Sequence, residues 1–191
     1  MAAKVELCFA SKQYIDLNCI LVLLNALGQD ITIQHIVTYP DGTLPVNAKE
    51  EIDESEIELH VTKGRIIFVE GICNKIDFGI QEYSEQDVFF HLLWVDTKFD
   101  PSLDADILSD RNASFYDSLT DMLLSKLGNR LIFAALGSEM VVEYSLDLPA
   151  MIENSFNVLR WVVPCGREIE HLPGYSEKDQ MYNNTIFSKI D

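Results

Sequence analysis

The chain has 191 residues, 48% hydrophobic and 10% aromatic: enough for one domain with a sizeable core, and too apolar for disorder. Its 14 Lys and Arg stand against 31 Asp and Glu, a formal net charge of −17. Nucleic acids and anionic membranes are bound through cations, so this charge argues against both as direct ligands and in favour of a basic protein partner.

Val5, Leu7 and Phe9 alternate and predict a strand over 4–9. Residues 12–27 predict a helix, apolar on every side over 20–24 and stopped by Gly28, a natural C′ residue. The run ITIQHIVTY (31–39) predicts a second strand, closed by the turn signal Pro40-Asp41-Gly42. An unpatterned segment, about 43–56, then carries most of an acidic run. Glu50, Glu51, Asp53, Glu54, Glu56 and Glu58 fall within nine positions that hold no base. EIELHVTKGRIIFVEG predicts a hairpin turning at Lys63-Gly64, with Ile57, Leu59, Val61, Ile66 and Phe68 on one face. On this reading the acidic run is a loop that leads into a sheet.

Two more strands are predicted at about 75–82 and 87–96. The second, VFFHLLWV, is apolar on both alternating sets, as a central strand covered on both faces is. A second acidic loop, about 97–111, bears Asp100, Asp104, Asp106 and Asp110. Asn112 is suited to cap the next helix, whose stripe is Phe115, Leu119, Met122, Leu123 and Leu127; Asp117 and Asp121 face out and Gly128 stops it. LIFAALGSEMVVEY predicts a second hairpin with Gly137-Ser138 as a II′ turn, and Leu131, Phe133, Ala135, Met140, Val142 and Tyr144 on one face. Pro149 opens a last helix with Ile152, Ser155, Phe156 and Leu159 inward, and about 164–191 reads as irregular. Together these elements predict a single α+β domain spanning 1–191. Its sheet is a largely antiparallel mixed one of about seven to eight strands, packed with three helices. Its core is expected to include Leu59, Phe68, Phe90, Leu92, Phe133 and Phe156.

Motifs for chemistry are sparse. DADILSD supplies Asp104, Asp106 and Asp110, but a calcium loop needs Gly at its sixth and Glu at its twelfth position. Counted from Asp104 those positions hold Ser109 and Phe115; counted from Asp100 they hold Ala105 and Arg111. His35, His60, His91 and His171 have no zinc-ligand spacing, and His91 reads as a hydrogen-bonded core residue. The nine glycines form no phosphate-binding loop, and no metal or cofactor is expected. Cys165, in VVPCGREIEH, is the one candidate nucleophile: Arg160 and Arg167 would lower its pKa and His171 would act as base. Pro-Cys-Gly equally describes an ordinary turn.

Cys8, Cys19, Cys73 and Cys165 show no CxxC and no disulfide framework, and Cys8 and Cys19 read as buried thiols of a reducing compartment. The first residues lack the pattern of a signal peptide, and the most apolar run, CILVLLNAL (19–27), is too short to span a bilayer. A soluble, cytoplasmic protein is expected.

Charge is what remains. Solubility needs a net charge of magnitude about 2 to 8, well short of −17. The expectation is a non-enzymatic binder that neutralises or regulates a basic protein. In profile the chain resembles immunity proteins, small acidic α+β domains that protect a bacterium from a toxin it makes itself. The resemblance implies inhibition by occlusion, with acids pairing the Lys and Arg by which a nuclease grips phosphate. Glu50, Glu51, Asp53, Glu54, Glu56 and Glu58 would form one contact patch, and Asp100, Asp104 and Asp106 a second. The fold itself is expected to do without them. The alternatives are a small hydrolase-like enzyme using Cys165 and His171 or an Asp-rich metal site, and a subunit of a larger assembly.

Overall fold

The computed structural model describes residues 4–26, 30–40, 42–44, 53–96, 110–145, 147–166 and 172–190. Its first half runs β1 (Lys4–Ser11), α1 (Leu17–Leu21), β2 (Ile31–Tyr39), β3 (Gly42–Leu44), α2 (Glu54–Thr62), β4 (Ile66–Cys73), β5 (Ile76–Glu85) and β6 (Val88–Asp96). Its second half runs α3 (Asp110–Leu127), β7 (Leu131–Val141), α4 (Leu148–Glu153), β8 (Phe156–Pro164), β9 (Tyr175–Met181) and β10 (Asn184–Lys189). The architecture is mixed and sheet-dominated. Among the described residues ten strands form one sheet in the order β3-β2-β4-β5-β6-β1-β7-β8-β10-β9, antiparallel at every pairing.

Those pairings leave β1 parallel to β2, β3 parallel to β4, and β6 parallel to β7, so the chain must cross over between each couple. The crossings carry α1, α2 and α3, all on one face of the sheet. There Leu17, Ile20, Ile57, Val61, Leu119 and Leu123 pack on Val5, Leu7, Phe9, Val69, Ile80 and Leu93. A second core lies on the other face, at the β7–β10 end, where Leu148, Met151 and Ile152 of α4 cover Phe133, Trp161, Val163 and Phe187. Among the described residues the sheet is thus covered by helices on both faces at one end and on one face at the other.

Several predicted elements hold. Val5, Leu7 and Phe9 are the buried set of β1, which continues to Ser11. β2, β5 and β6 fall where expected, and Leu119, Leu123 and Leu127 are buried along α3. The first helix is shorter than 12–27. Asp16 caps α1 by accepting from the Cys19 amide at 2.8 Å, and a 3-10 segment, Val22–Ala26, follows. Leu17, Ile20, Leu23 and Leu24 are all buried there.

The hairpin expected at Lys63-Gly64 is instead the helix α2 followed by β4. Ile57, Leu59 and Val61 satisfy a period of two, but the caps decide for a helix. Asp53 accepts from the Ser55 and Glu56 amides at 3.1 and 3.2 Å. At the other end Gly64, at φ +74, and Arg65 donate to the Val61 and His60 carbonyls at 2.9 and 3.1 Å, a Schellman stop. Ile57 and Val61, four apart, face the core, and Leu59 is 50% exposed.

The second expected hairpin, 131–144, begins as one unbroken strand, β7. Gly137 serves close approach rather than a turn: a Cβ there would collide with the Asn157 carbonyl of β8. The register with β8 shifts on either side of it, with Glu139 at φ 48, so the strand bends without reversing. The last helix ends at Glu153, and Phe156, expected inward, is 64% exposed at the start of β8. The segment expected to be irregular after 164 contains β9 and β10, joined by Tyr182-Asn183, both at positive φ as a two-residue hairpin turn requires. Of the expected core, Phe90 and Phe133 are buried and Leu92 is half-buried. Phe68 is 37% exposed because it lies on the face of β4 that no helix covers among the described residues. No helix among the described residues is long and apolar enough to cross a membrane.

Candidate functional site

Glu50, Glu51, Asp100, Asp104 and Asp106 lie outside the described residues, as do Arg167 and His171. The other acids of the first run do different work. Asp53 caps α2, and hydrogen bonds from the Ser55 hydroxyl and then the Glu56 amide hold its carboxyl below the usual carboxylate range. Glu54 reaches across to α1, where its two oxygens accept from the Leu17 and Asn18 amides, each at 2.9 Å. Half-burial raises its pKa even so. The exposed Glu56 lies 3.9 Å from the His60 imidazole one turn on, and Glu58 is exposed. The expectation that the fold does without this run fails at Asp53 and Glu54, which fasten the starts of two helices. Glu56 and Glu58 remain open to solvent.

Cys165 donates its amide to the Asn183 carbonyl at 2.8 Å, and its sulfur lies 3.5 Å from the Thr185 hydroxyl. Arg160, expected to activate it, is fully buried against α3, with Asp117 Oδ1 at 2.8 Å and the Thr120 hydroxyl at 2.9 Å. Its charge is therefore committed elsewhere. His91 is the core histidine expected. It stacks on Phe9 with centroids 4.8 Å apart, and its Nδ1 lies 3.3 Å from Glu82 Oε1. Tyr14 donates to the other Glu82 oxygen at 3.2 Å. Burial first and then the Glu82 carboxylate push the Tyr14 hydroxyl far above its ordinary value.

The face of the sheet that no helix covers among the described residues holds a candidate site that sequence reasoning missed. Val37, Phe68, Gln81, Leu92 and Cys8 stand opposite one another across β2, β4, β5, β6 and β1. Val37 is 39% exposed and Tyr39, next on that face of β2, is 65% exposed. Trp94 lies over Gly79, which has no side chain to displace it, and the Lys4 ammonium sits 3.9 Å from its ring centroid. Toward β7 this face deepens into a hollow of about 120 Å³ between Gln81, Leu92, Cys8 and Met140. Tyr83 and Val142 line both this hollow and an open cleft of about 530 Å³, whose mouth carries Glu85 and Glu143.

The cleft walls are ordered by aromatic contacts. Tyr83 stacks on Phe90 with centroids 4.9 Å apart, and Tyr144 meets Phe90 edge-on at 4.6 Å. Glu6 accepts from the Met140 amide at 2.6 Å and so ties one wall to β1. Burial pushes the Tyr83 hydroxyl and the Cys8 thiol each up to about 12, so both keep their protons and Cys8 is a poor nucleophile. Its residues come from four strands and the segment after β7, so no local motif marks them. The available signal was apolar residues on both faces of single strands, such as Phe68 beside Ile67. Among the described residues no three His, Cys, Asp or Glu side chains group as metal ligands. In comparisons with protein families, curated proteins and solved structures, nothing matches the chain significantly.

Proposed function

We propose that the protein is a non-enzymatic acidic binder that neutralises or regulates a basic protein partner in the cytoplasm, most concretely an immunity-type inhibitor of a bacterial toxin such as a nuclease. The observation that carries this reading is the sheet face that no helix covers among the described residues. It has an apolar and aromatic centre, Val37, Phe68, Leu92 and Tyr83, and exposed carboxylates around it, Glu70, Glu85 and Glu143. Stable interfaces are built this way: apolar anchors at the centre supply affinity, and charges at the rim set association rate and exclude wrong partners. A net charge of −17 favours a basic surface as the complement. The acids at Glu56 and Glu58, with the undescribed Glu50, Glu51, Asp100, Asp104 and Asp106, would extend the attraction by long-range steering.

Affinity purification of the full chain from its native host, with identification of what accompanies it, tests the reading. Stoichiometric recovery of a basic protein, lost in the Val37→Ser/Phe68→Ser variant, is the expected result. Recovery of a small metabolite, or a partner retained undiminished by that variant, would overturn it. The hydrolase alternative has a separate test: a folded Cys165→Ser protein that loses its biological effect would revive it.

A further inference from the structure

We propose that the cleft between β5 and the segment after β7 receives the guanidinium of an arginine side chain presented by a basic protein partner; this rests on the binding reading above and specifies where the partner's charge is held. A guanidinium is flat and weakly hydrated. It stacks on aromatic faces while its N–H fork meets carboxylates, whereas an ammonium is compact and keeps its water. The cleft offers both kinds of contact in one place. Tyr83 and Tyr144 converge on the Phe90 ring to form an aromatic wall, and Glu85 and Glu143 stand exposed at the mouth.

No lining side chain is basic, and neither carboxylate has an ion pair or hydrogen bond among the described residues. Both carboxylates line the same cleft and are exposed, so a cation entering it is attracted by each of them. A volume of about 530 Å³ falls within the range of about 300–1,000 Å³ common to ligand clefts. The hollow beyond Tyr83, between Gln81, Leu92 and Met140, lets an apolar neighbour of the arginine follow it onto the sheet. That continuity favours an arginine within a protein segment over a free amino acid.

The test uses the full chain and two fluorescein-labelled, acetylated Gly/Ser peptides of equal charge, one with three arginines and one with three lysines, followed by anisotropy at low salt. The arginine peptide is expected to bind at least fivefold more tightly. Glu85→Gln/Glu143→Gln should weaken it tenfold or more. Asp121→Asn/Glu177→Gln, which removes the same charge from exposed positions away from the cleft, should weaken it less than twofold. Tyr83→Leu/Tyr144→Leu, which leaves charge unchanged, should abolish the preference for arginine. Circular dichroism checks that this variant folds, and the glutamine pair tests the cleft without disturbing the aromatic packing. Equal binding of the two peptides, or equal losses from the cleft and remote pairs, overturns the cleft while the basic-partner reading stands. Failure of the unaltered chain to bind either peptide overturns both.

Discussion

β7 and β4 are comparably apolar strands that the fold treats differently. From 131 to 138 every residue of β7 is buried, because α3 lies on one side and the core under α4 on the other. Along β4 burial alternates, since α2 covers only the side of Ile67, Val69 and Cys73. An apolar side chain in β7 holds the fold together, and one on the outer side of β4 is spared that duty. The difference separates residues whose loss should unfold the protein from residues whose loss should be felt by a partner.

The largest test of this contrast is Phe133→Ala. Phe133 is 1% exposed and packs against Tyr144 and Trp161, so a loss of about 3–5 kcal/mol is expected from urea denaturation. Phe68→Ala, on the outer side of β4, should lose less than about 1 kcal/mol. Similar losses at the two sites would break the comparison.

Next comes a pair of neighbours in β5. Glu82 is fully buried and serves both Tyr14 and His91, so Glu82→Ala strands the buried His91 and the half-buried Tyr14 and should destabilise by about 2–3 kcal/mol. Gln81→Ala, one residue away on the open face, should change stability by less than about 0.5 kcal/mol. Two nearly equal midpoints in a chemical melt would mean that the buried pair adds nothing to the fold.

A smaller contrast lies within the acidic run. Glu54 caps the start of α1 with two hydrogen bonds, so Glu54→Ala should cost about 1–2 kcal/mol. Glu58→Ala, exposed one turn later, should leave the melting curve in place. If the two melts shift together, the reach of Glu54 to α1 contributes no stability.

The smallest effect concerns pH. Burial raises the pKa of Glu6 above its ordinary 4.5, outweighing the Met140 amide and Lys4, which lower it. The folded chain therefore holds this proton more tightly than the unfolded chain does. The associated stability is present below 4.5 and is lost as pH rises through the folded value. Glu6→Gln keeps an acceptor for Met140 and cannot ionise, so its melting temperature relative to the native chain should rise between pH 4 and pH 7. A difference that stays constant or falls over that interval counts against the buried carboxylate.

Where one local rule acted alone, the sequence was legible. β1 and the stripe of α3 follow their periods closely, and His91 reads correctly as a core residue because an apolar strand surrounds it. Where two local rules competed, the reading went astray. Ile57, Leu59 and Val61 fit a strand by alternation and a helix by the spacing of the first and last. The arbiters were Asp53 and Gly64, a cap at each end, rather than the hydrophobic pattern between them. Gly137-Ser138 fits a turn, and the nearness of Asn157, 20 residues beyond Gly137, made it a strand. β9, with YSEKDQM, has almost no hydrophobic signature because it is an edge strand among the described residues, paired there on one side only.

By itself the sequence determined the class of the protein: an α+β chain with a normal apolar interior, a strongly negative charge, and no motif that commits it to catalysis. These depend on composition and on short periods, which act within a few residues. Only the tertiary structure decided which apolar residues are core and which are surface, and which acids hold helices and which face solvent. That choice depends on which sheet face each crossover helix covers. It is settled by contacts between residues far apart in the chain, such as Glu54 with Leu17 and Arg160 with Asp117, and no local pattern records them.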